Sequence, residues 1–152
     1  MTRGFELALL ALQSFHVAFL FLHDWIPLGS LNNISAVRRV ISGWQLMVTT
    51  LVSGVPFAIG LAFSLRYYGR AYPHWLHTWL WVSYGLLFLG ELRAWWIPYL
   101  IQPEPQRATR YQSLFASTHS FLPARNGIVP NTLHVILHAA TFTTVLLLSR
   151  MR

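Results

Sequence analysis

The stretch WQLMVTTLVSGVPFAIGLAFSL, residues 44–65, carries no charged side chain. An α-helix rises 1.5 Å per residue, so about 20 apolar residues cross the roughly 30 Å hydrocarbon core of a bilayer. Within this stretch, small residues recur every four positions at Gly54, Ala58 and Ala62, a spacing that lets membrane helices approach closely. Pro56, next to this series, predicts a kink. The stretch therefore predicts a membrane-spanning helix packed closely against a neighbour.

Three other apolar segments have a similar length and lie at residues 5–26, 75–99 and 131–149. The first follows Arg3, as the apolar region of a signal peptide follows a basic residue. Because no cleavage site of small residues comes after it, it is interpreted as a retained helix. Aromatic residues cluster near both sets of helix ends, as they do at the two membrane interfaces. The sequence thus predicts one all-α membrane domain over residues 1–152, a bundle of four transmembrane helices.

The composition agrees with this fold class and excludes several functions. Hydrophobic residues make up 55% of the chain and charged residues 10%, whereas soluble domains carry about 25% charged residues. The chain has no cysteine, which excludes disulfides, thiolate metal sites and the dithiol chemistry of small quinone-linked membrane oxidoreductases. The net charge of +7 comes from arginines scattered in ones and twos between the apolar segments. That placement is typical of contacts with lipid headgroups and not of nucleic-acid binding.

The longest connection, residues 101–130, joins the third and fourth segments. A loop of this length in a compact domain normally has a structure or a function of its own. Residues 107–122 place apolar side chains at roughly helical spacing, which predicts a short helix in the interface plane that forms a lid over the bundle. Gly127 and Pro130 predict a turn after it, and Asn131 or Thr132 can cap the last helix.

Four crossings place both termini on one side of the membrane. That side would hold five arginines packed close to the bilayer, and the other side would hold five spread over longer loops. Positive charge next to the membrane is typical of the cytoplasmic face. Both termini are therefore expected in the cytoplasm.

Four of the ionisable side chains within the predicted helices form the predicted catalytic or proton-exchanging group. At 1.5 Å per residue, His16, Glu91 and His138 lie on three different helices at a similar depth, about 9–15 Å from the lid side. His134 lies one turn from His138 on the same helix face, because residues i and i+4 share a face. A carboxylate at this depth is costly and normally faces the bundle interior. The plainer interpretation of all four is hydrogen bonding between packed helices.

Other polar residues are expected nearer to the surface. The remaining glutamates, Glu6 and Glu104, are expected to be solvated. A further group is predicted to guard the mouth of an intramembrane pocket and to bind its ligand. The members of that group are Arg93, His119, Arg125 and Asn131.

The residues leave three functions open. The leading hypothesis is a pocket that binds, and converts by proton transfer, a small amphiphile such as a quinone, a sterol-like lipid or an isoprenoid lipid, since His and Glu are the common proton-transfer groups. The first alternative is a non-catalytic subunit of a larger membrane complex. The second is a metal or b-haem site, with His16 and His138 as axial ligands from different helices. The sequence identifies no cofactor, and membrane lipid is the expected partner.

Overall fold

The computed structural model describes residues 2–151. Within them the chain is all-helical, with four long helices and three short ones. The long helices are α1 (Arg3–Leu22), α3 (Gly43–Arg66), α4 (His74–Glu91) and α7 (Thr132–Ser149). The short helices are α2 (Ile34–Val40), α5 (Ile97–Leu100) and α6 (Pro105–Phe115). A 3₁₀ turn, Gly29–Leu31, precedes α2, and a π-helical turn, Leu92–Trp96, joins α4 to α5.

Three of the described helices, α1, α3 and α7, are long and apolar enough to cross a membrane. They correspond to three of the four segments expected from the sequence. The fourth segment is also helical, but α4 carries histidines and several tryptophans in the stretch HWLHTWLWVSYGLLFLGE. These side chains lower its mean hydropathy below that of the other three.

The ends of two helices differ from the prediction, and proline explains both. α1 ends at Leu22 and continues as a hydrogen-bonded turn to Ile26, where Pro27 stops it by disfavouring helical geometry in the residue before it. The segment predicted at 75–99 is not one regular helix, since it widens into the π-helical turn just before Pro98. Proline has no N–H with which to bond the carbonyl four residues earlier.

The lid is helical over a shorter range than predicted. The helix α6 spans Pro105–Phe115, whereas residues 116–122 form turns and irregular structure. Its buried face includes Ala108 and Leu114. The helix α2, which the sequence did not indicate, packs against α6, so the lid consists of two short helices.

The long helices pack in a closed order: α1 contacts α3 and α7, and α4 contacts the same two helices. Gly54 on α3 faces α1 so closely that a Cβ atom there would come within 2.6 Å of the Phe21 ring. The small-residue series predicted on α3 is therefore an interhelical contact at Gly54. The series does not continue to Ala62, which is exposed. The next position where α3 closely approaches another helix is Gly60, which contacts the Leu80 side chain of α4.

Two cavities mark the opposite ends of the bundle. The terminal-end cavity is lined by Arg3, Arg70 and Met151 among others, so the start of α1, the α3–α4 connection and the end of α7 lie together. The lid-end cavity is lined by residues that include His23 and His134. It therefore lies between the end of α1 and the start of α7.

Candidate functional site

A chain of three buried polar side chains links three helices in the bundle interior. The Thr141 hydroxyl of α7 lies 2.8 Å from Glu91 Oε1 of α4 and 3.0 Å from His16 Nε2 of α1. It also lies 3.0 Å from the Leu137 carbonyl in its own helix. Glu91 is 5% exposed, and His16 and Thr141 are fully buried. Two members of the predicted group, His16 and Glu91, are thus brought together through a residue that the sequence did not single out.

The geometry of this Glu91–Thr141–His16 chain restricts its protons. His16 Nδ1 lies 2.6 Å from the Leu12 carbonyl oxygen, so that nitrogen carries a hydrogen and donates it. The Thr141 hydroxyl has one proton to donate. An ionised Glu91 and an unprotonated His16 Nε2 would compete for that proton with the Leu137 carbonyl, and at least one of the two interhelical contacts would lack a hydrogen. The chain therefore holds at least one further proton, on Glu91 or on His16 Nε2.

Several buried polar atoms around this chain have no hydrogen-bond partner among residues 2–151. They include the second carboxyl oxygen of Glu91 and His138 Nδ1. The Tyr84 hydroxyl is a third, and its ring packs edge-on against His16 with centroids 5.0 Å apart. Buried polar groups are nearly always hydrogen-bonded. Each of these unpaired positions is one that a polar ligand group or bound water would use.

A second group of rings lies between this chain and the lid. Trp95, one turn after Glu91, packs on His134 with ring centroids 4.8 Å apart and on His138 at 6.0 Å. His134 and His138 are 6.2 Å apart, as their shared helix face predicts. His23 of α1 completes the group, 5.8 Å from His134. The described contacts include no hydrogen bond between Glu91 and His138, so Trp95 and the helix turn between His138 and Thr141 connect the two layers.

Asn131 positions His134 at the start of α7. Its side-chain oxygen accepts one hydrogen bond from the backbone N–H of His134 and another from His134 Nδ1, at 2.9 and 2.7 Å. The first is the N-cap bond, so Asn131 is the cap among the two candidates in the sequence, Asn131 and Thr132. The second leaves Nε2 as the free position of the imidazole ring.

The lid-end cavity has a volume of about 530 Å³ and reaches this second layer. Its floor includes His134 and Trp95, and its walls include Tyr111 and Phe115 of α6. Arg107 and Arg110 of α6 stand at the polar side. His16, Glu91 and His138 do not line it, because the Trp95 ring closes the inner end.

The lid is attached by an ionic cluster that uses one of the predicted mouth residues. Arg93 and Arg107 both donate to the Glu104 carboxylate, the latter at 2.9 Å. These hydrogen bonds, that from Arg107 first, lower the pKa of Glu104 below its ordinary value of 4.5. Glu104 is therefore the anchor of the lid and not a freely solvated carboxylate. It lines the lid-end cavity, whereas Arg93 does not.

The other predicted mouth residues do not line the cavity either. The backbone of His119 bonds Ser30 and Thr132, and its ring contacts the Thr132 hydroxyl at 2.8 Å. Arg125 is exposed in a turn closed by backbone bonds with Ile128. Asn131 is the helix cap. Their positions stabilise the connection into α7.

The donor set does not favour a metal or haem centre. Among residues 2–151, no three His, Asp, Glu or Cys side chains converge on a point that could hold a metal ion. Both ring nitrogens of His16 are already engaged, by Leu12 and by Thr141. An axial-ligand role for His16 would have to break the Glu91–Thr141–His16 chain.

Three important residues had only weak signals in the sequence. Thr141 follows His138 by three positions, so it shares its helix face. Trp95 belongs to the aromatic residues assigned to the membrane interfaces, and no sequence pattern singles out Tyr84. Comparison with protein families, with curated proteins and with solved structures finds no match to this chain.

Proposed function

We propose that the chain is a multi-pass membrane protein with four spanning segments. The continuous helical stretch from His74 to Leu100, α4 with the π-helical turn and α5, would be the fourth, beside α1, α3 and α7. At about 1.5 Å per residue it is long enough to cross a hydrocarbon core of about 30 Å. Two of its neighbours in the bundle, α3 and α7, are apolar enough to span.

In this arrangement both termini lie on one side, and we propose that this side is cytoplasmic. The terminal-end cavity brings the two chain ends near Arg3 and Arg70, and juxtamembrane arginine is typical of the cytoplasmic face. The cysteine-free sequence makes the test direct. Single cysteines at Gly4 and at Arg150 should react with an impermeant maleimide only after cells are opened, whereas one at Pro103 should react in intact cells. If the cysteines at Gly4 and Arg150 reacted from opposite sides of the membrane, the four-segment topology would be wrong.

We propose that the protein binds a small amphiphile under the lid and exchanges a proton with it. The ligand class is a quinone, a sterol-like lipid or an isoprenoid lipid with a polar head. The Glu91–Thr141–His16 chain is the observation that supports this proposal. It is a buried, hydrogen-bonded set of proton-transfer groups with an unpaired oxygen on Glu91.

The ligand would enter through the lid-end cavity. Apolar walls from Leu114 and Phe115 suit a hydrocarbon tail, and His134 would meet the polar head. Because Trp95 separates the cavity from Glu91, the head reaches the carboxyl group only when this ring moves. The lid, whose Tyr111 and Phe115 rings pack against Trp95, is the element whose displacement would release the ring.

The proton step balances within the three side chains. A proton leaves Glu91 for the Thr141 oxygen while the Thr141 proton passes to His16 Nε2, which converts a neutral pair into a carboxylate and an imidazolium. The unpaired Glu91 oxygen can then accept a proton from a bound hydroxyl group or donate one in reverse. Positioned acid and base groups of this kind typically accelerate proton transfer by about 10²–10⁴-fold.

Ligand binding with simultaneous proton counting tests the proposal. Decylubiquinone, farnesol and cholesterol hemisuccinate would be titrated into the detergent-purified protein in weak buffer with a pH indicator. We expect binding of one of these probes with a proton change, and in Glu91→Gln at least tenfold weaker binding without that change. Thr143→Val, an exposed hydroxyl on the outer face of α7, is the matched control. Unaltered binding and proton change in Glu91→Gln would overturn the proposal.

One observation favours the alternative of a subunit in a larger membrane complex. An apolar groove of about 830 Å³ lies between α3 and α4 and is lined by Val52, Phe57, Trp79 and Leu86 among others. Such a groove suits a helix of a partner protein as well as lipid chains. If Glu91→Gln impaired only the recovery of a larger complex, and none of the probes bound, the subunit function would replace the ligand proposal.

A further inference from the structure

The terminal-end cavity contains a buried carboxylate that the proposed function does not use. Glu6, in the first turn of α1, is 5% exposed, although its position near a membrane interface predicts solvation. No hydrogen bond or ion pair engages its carboxylate among residues 2–151. A buried charge without a partner is costly, so a site with such a group favours a cationic partner.

Two arginines line the same cavity. Arg3 lies one turn before Glu6 on α1, and Arg70 lies in the α3–α4 connection. Neither forms a salt bridge among residues 2–151. The cavity, about 620 Å³ in volume, therefore has a negative group on its wall and two positive groups beside it.

The α4 helix adds donors for an anion. His74 and His77, in its first turn, line the cavity, and the first backbone N–H groups of a helix carry partial positive charge and bind phosphates. The N-cap residue of α4, Pro73, has no polar side-chain atom. Its backbone carbonyl accepts hydrogen bonds from the N–H groups of Leu76 and His77. His77 also contacts the Leu148 carbonyl at 3.3 Å, which ties α4 to the end of α7.

Tyr72 lines the same cavity as Glu6. Burial is the main reason that the pKa of Tyr72 is raised, and the nearby Glu6 carboxylate raises it further. The Tyr72 hydroxyl reaches the Ser64 carbonyl at 3.5 Å. The residue therefore forms a wall beside Glu6.

We infer that the terminal-end cavity binds a phosphoethanolamine group, with its ammonium on Glu6 and its phosphate on Arg3, Arg70 and the start of α4. A simple anion would be repelled by Glu6, and a simple cation by the two arginines. A zwitterion with adjacent ammonium and phosphate groups satisfies both. The cavity lies where the ends of the long helices meet, at the level that lipid headgroups occupy in the proposed topology. The same chemistry is present in phosphatidylethanolamine and in soluble glycerophosphoethanolamine.

A lipid series of constant chain length tests the inference without any mutation. Native mass spectrometry of the protein in non-ionic detergent would compare phosphatidylethanolamine, its mono- and dimethyl forms, phosphatidylcholine and phosphatidylglycerol. We expect binding of phosphatidylethanolamine to exceed that of phosphatidylcholine and phosphatidylglycerol by about ten- to a hundredfold, the range for a hydrogen bond to a charged group. Each added methyl group should weaken binding, since it removes an N–H donor. Equal binding of all five lipids would overturn the inference.

Two variants then separate the two halves of the site. Glu6→Gln should abolish the preference for phosphatidylethanolamine over phosphatidylglycerol while phosphate binding persists. Arg70→Gln should weaken binding of both lipids. Arg39→Gln, an exposed arginine on α2 at the lid end, is the matched control and should change neither. Retention of the full preference in Glu6→Gln, with an unchanged unfolding temperature, would contradict the assignment.

Competition identifies the source of the group. If glycerophosphoethanolamine displaces the lipid, the site exists as inferred and accepts the soluble phosphodiester. If only the lipid binds, with the same methylation pattern, the site exists and the acyl chains contribute to binding. These results do not depend on Glu91, so loss of the lid-end function would leave them unaltered.

Discussion

Replacing Thr141 with valine should separate the interhelical hydrogen bonds from packing, because valine has nearly the same shape and lacks the hydroxyl. Thr141 is fully buried, and its hydroxyl reaches Glu91 at 2.8 Å and His16 at 3.0 Å. Each buried polar group left without a partner costs about 1–3 kcal/mol. Two such groups would together lower the free energy of unfolding by about 2–6 kcal/mol.

The membrane lowers this figure. Interhelical hydrogen bonds in a bilayer average about 0.6 kcal/mol and reach about 1.7, because the separated helices also find partners. Since both Glu91 and His16 lose a contact at once, we expect Thr141→Val to lower the free energy of unfolding by about 1–3 kcal/mol. Thr141→Ser, which keeps the hydroxyl and loses one methyl group, should cost about 1 kcal/mol.

The matched control lies one turn away. Thr144 is also fully buried on α7, but its hydroxyl bonds only the Ala140 carbonyl of its own helix, at 2.8 Å. Thr144→Val should therefore change stability by less than about 0.5 kcal/mol, since such back-bonding contributes little to helix stability.

Unfolding in bicelles by denaturant titration or steric trapping would give the free energies. A double-mutant cycle with Glu91→Gln should show a coupling energy above the additivity error of about 0.3–0.5 kcal/mol. If Thr141→Val proves no more destabilising than Thr144→Val, and the cycle is additive, then the hydrogen-bonded chain does not hold the helices together as argued.

Three further changes test the packing and the lid. Gly54→Ala should destabilise by about 1–2 kcal/mol in thermal unfolding, because overpacking against α1 exceeds the helix-propensity gain, whereas Gly85→Ala, which has open space, should stabilise by up to about 1 kcal/mol. Tyr111→Phe removes the 3.0 Å bond to the Ala94 carbonyl and should lower stability by about 0.5–1.5 kcal/mol, with faster hydrogen exchange in α6; unchanged exchange would contradict this attachment. Because the pKa of Glu104 is lowered on folding, its stabilisation of the lid is present above its ordinary value of 4.5 and is lost as the pH falls below it. The protection factors of the α6 amides, which correct for slower intrinsic exchange in acid, should therefore fall as the pH drops below 4.5. Glu104→Gln should show low protection both above and below that pH.

The positions of the long helices could be predicted because uninterrupted apolar runs determine them. α3 and α7 begin and end within one residue of the predicted 44–65 and 131–149. The end of α1 and the irregular turn before α5 depend on Pro27 and Pro98. These prolines change only the hydrogen bonds of nearby residues, so the spacing of apolar residues does not predict where the helices end. α2 was missed because its seven residues are too few to show a period.

The candidate site could be predicted only in part, for a physical reason. The rise per residue brings His16 and Glu91 to a similar depth, and the structure joins them through one residue. That bridge was not predictable, since a threonine in an apolar helix ordinarily bonds its own backbone, as Thr143 and Thr144 do. Arg93 was expected at the pocket mouth, but its partner is Glu104 in the loop, whose path no pattern in the sequence specifies.

The irregular turn before Pro98 connects the lid to the interior chain of polar groups. Because Pro98 has no N–H, it cannot bond the Ala94 carbonyl four residues earlier, and that carbonyl instead accepts bonds from Tyr111 and Arg107 of α6. The same turn carries Trp95, whose ring closes the inner end of the lid-end cavity. Displacing α6 removes two partners of this turn at once, and the ring that blocks access to Glu91 stands in the segment that loses them. π-helical turns within helices often occur at functional sites. Here the π-helical turn places Trp95, which blocks the path to Glu91, next to Ala94, to which α6 is bonded. Opening of the lid and access to Glu91 should therefore occur together.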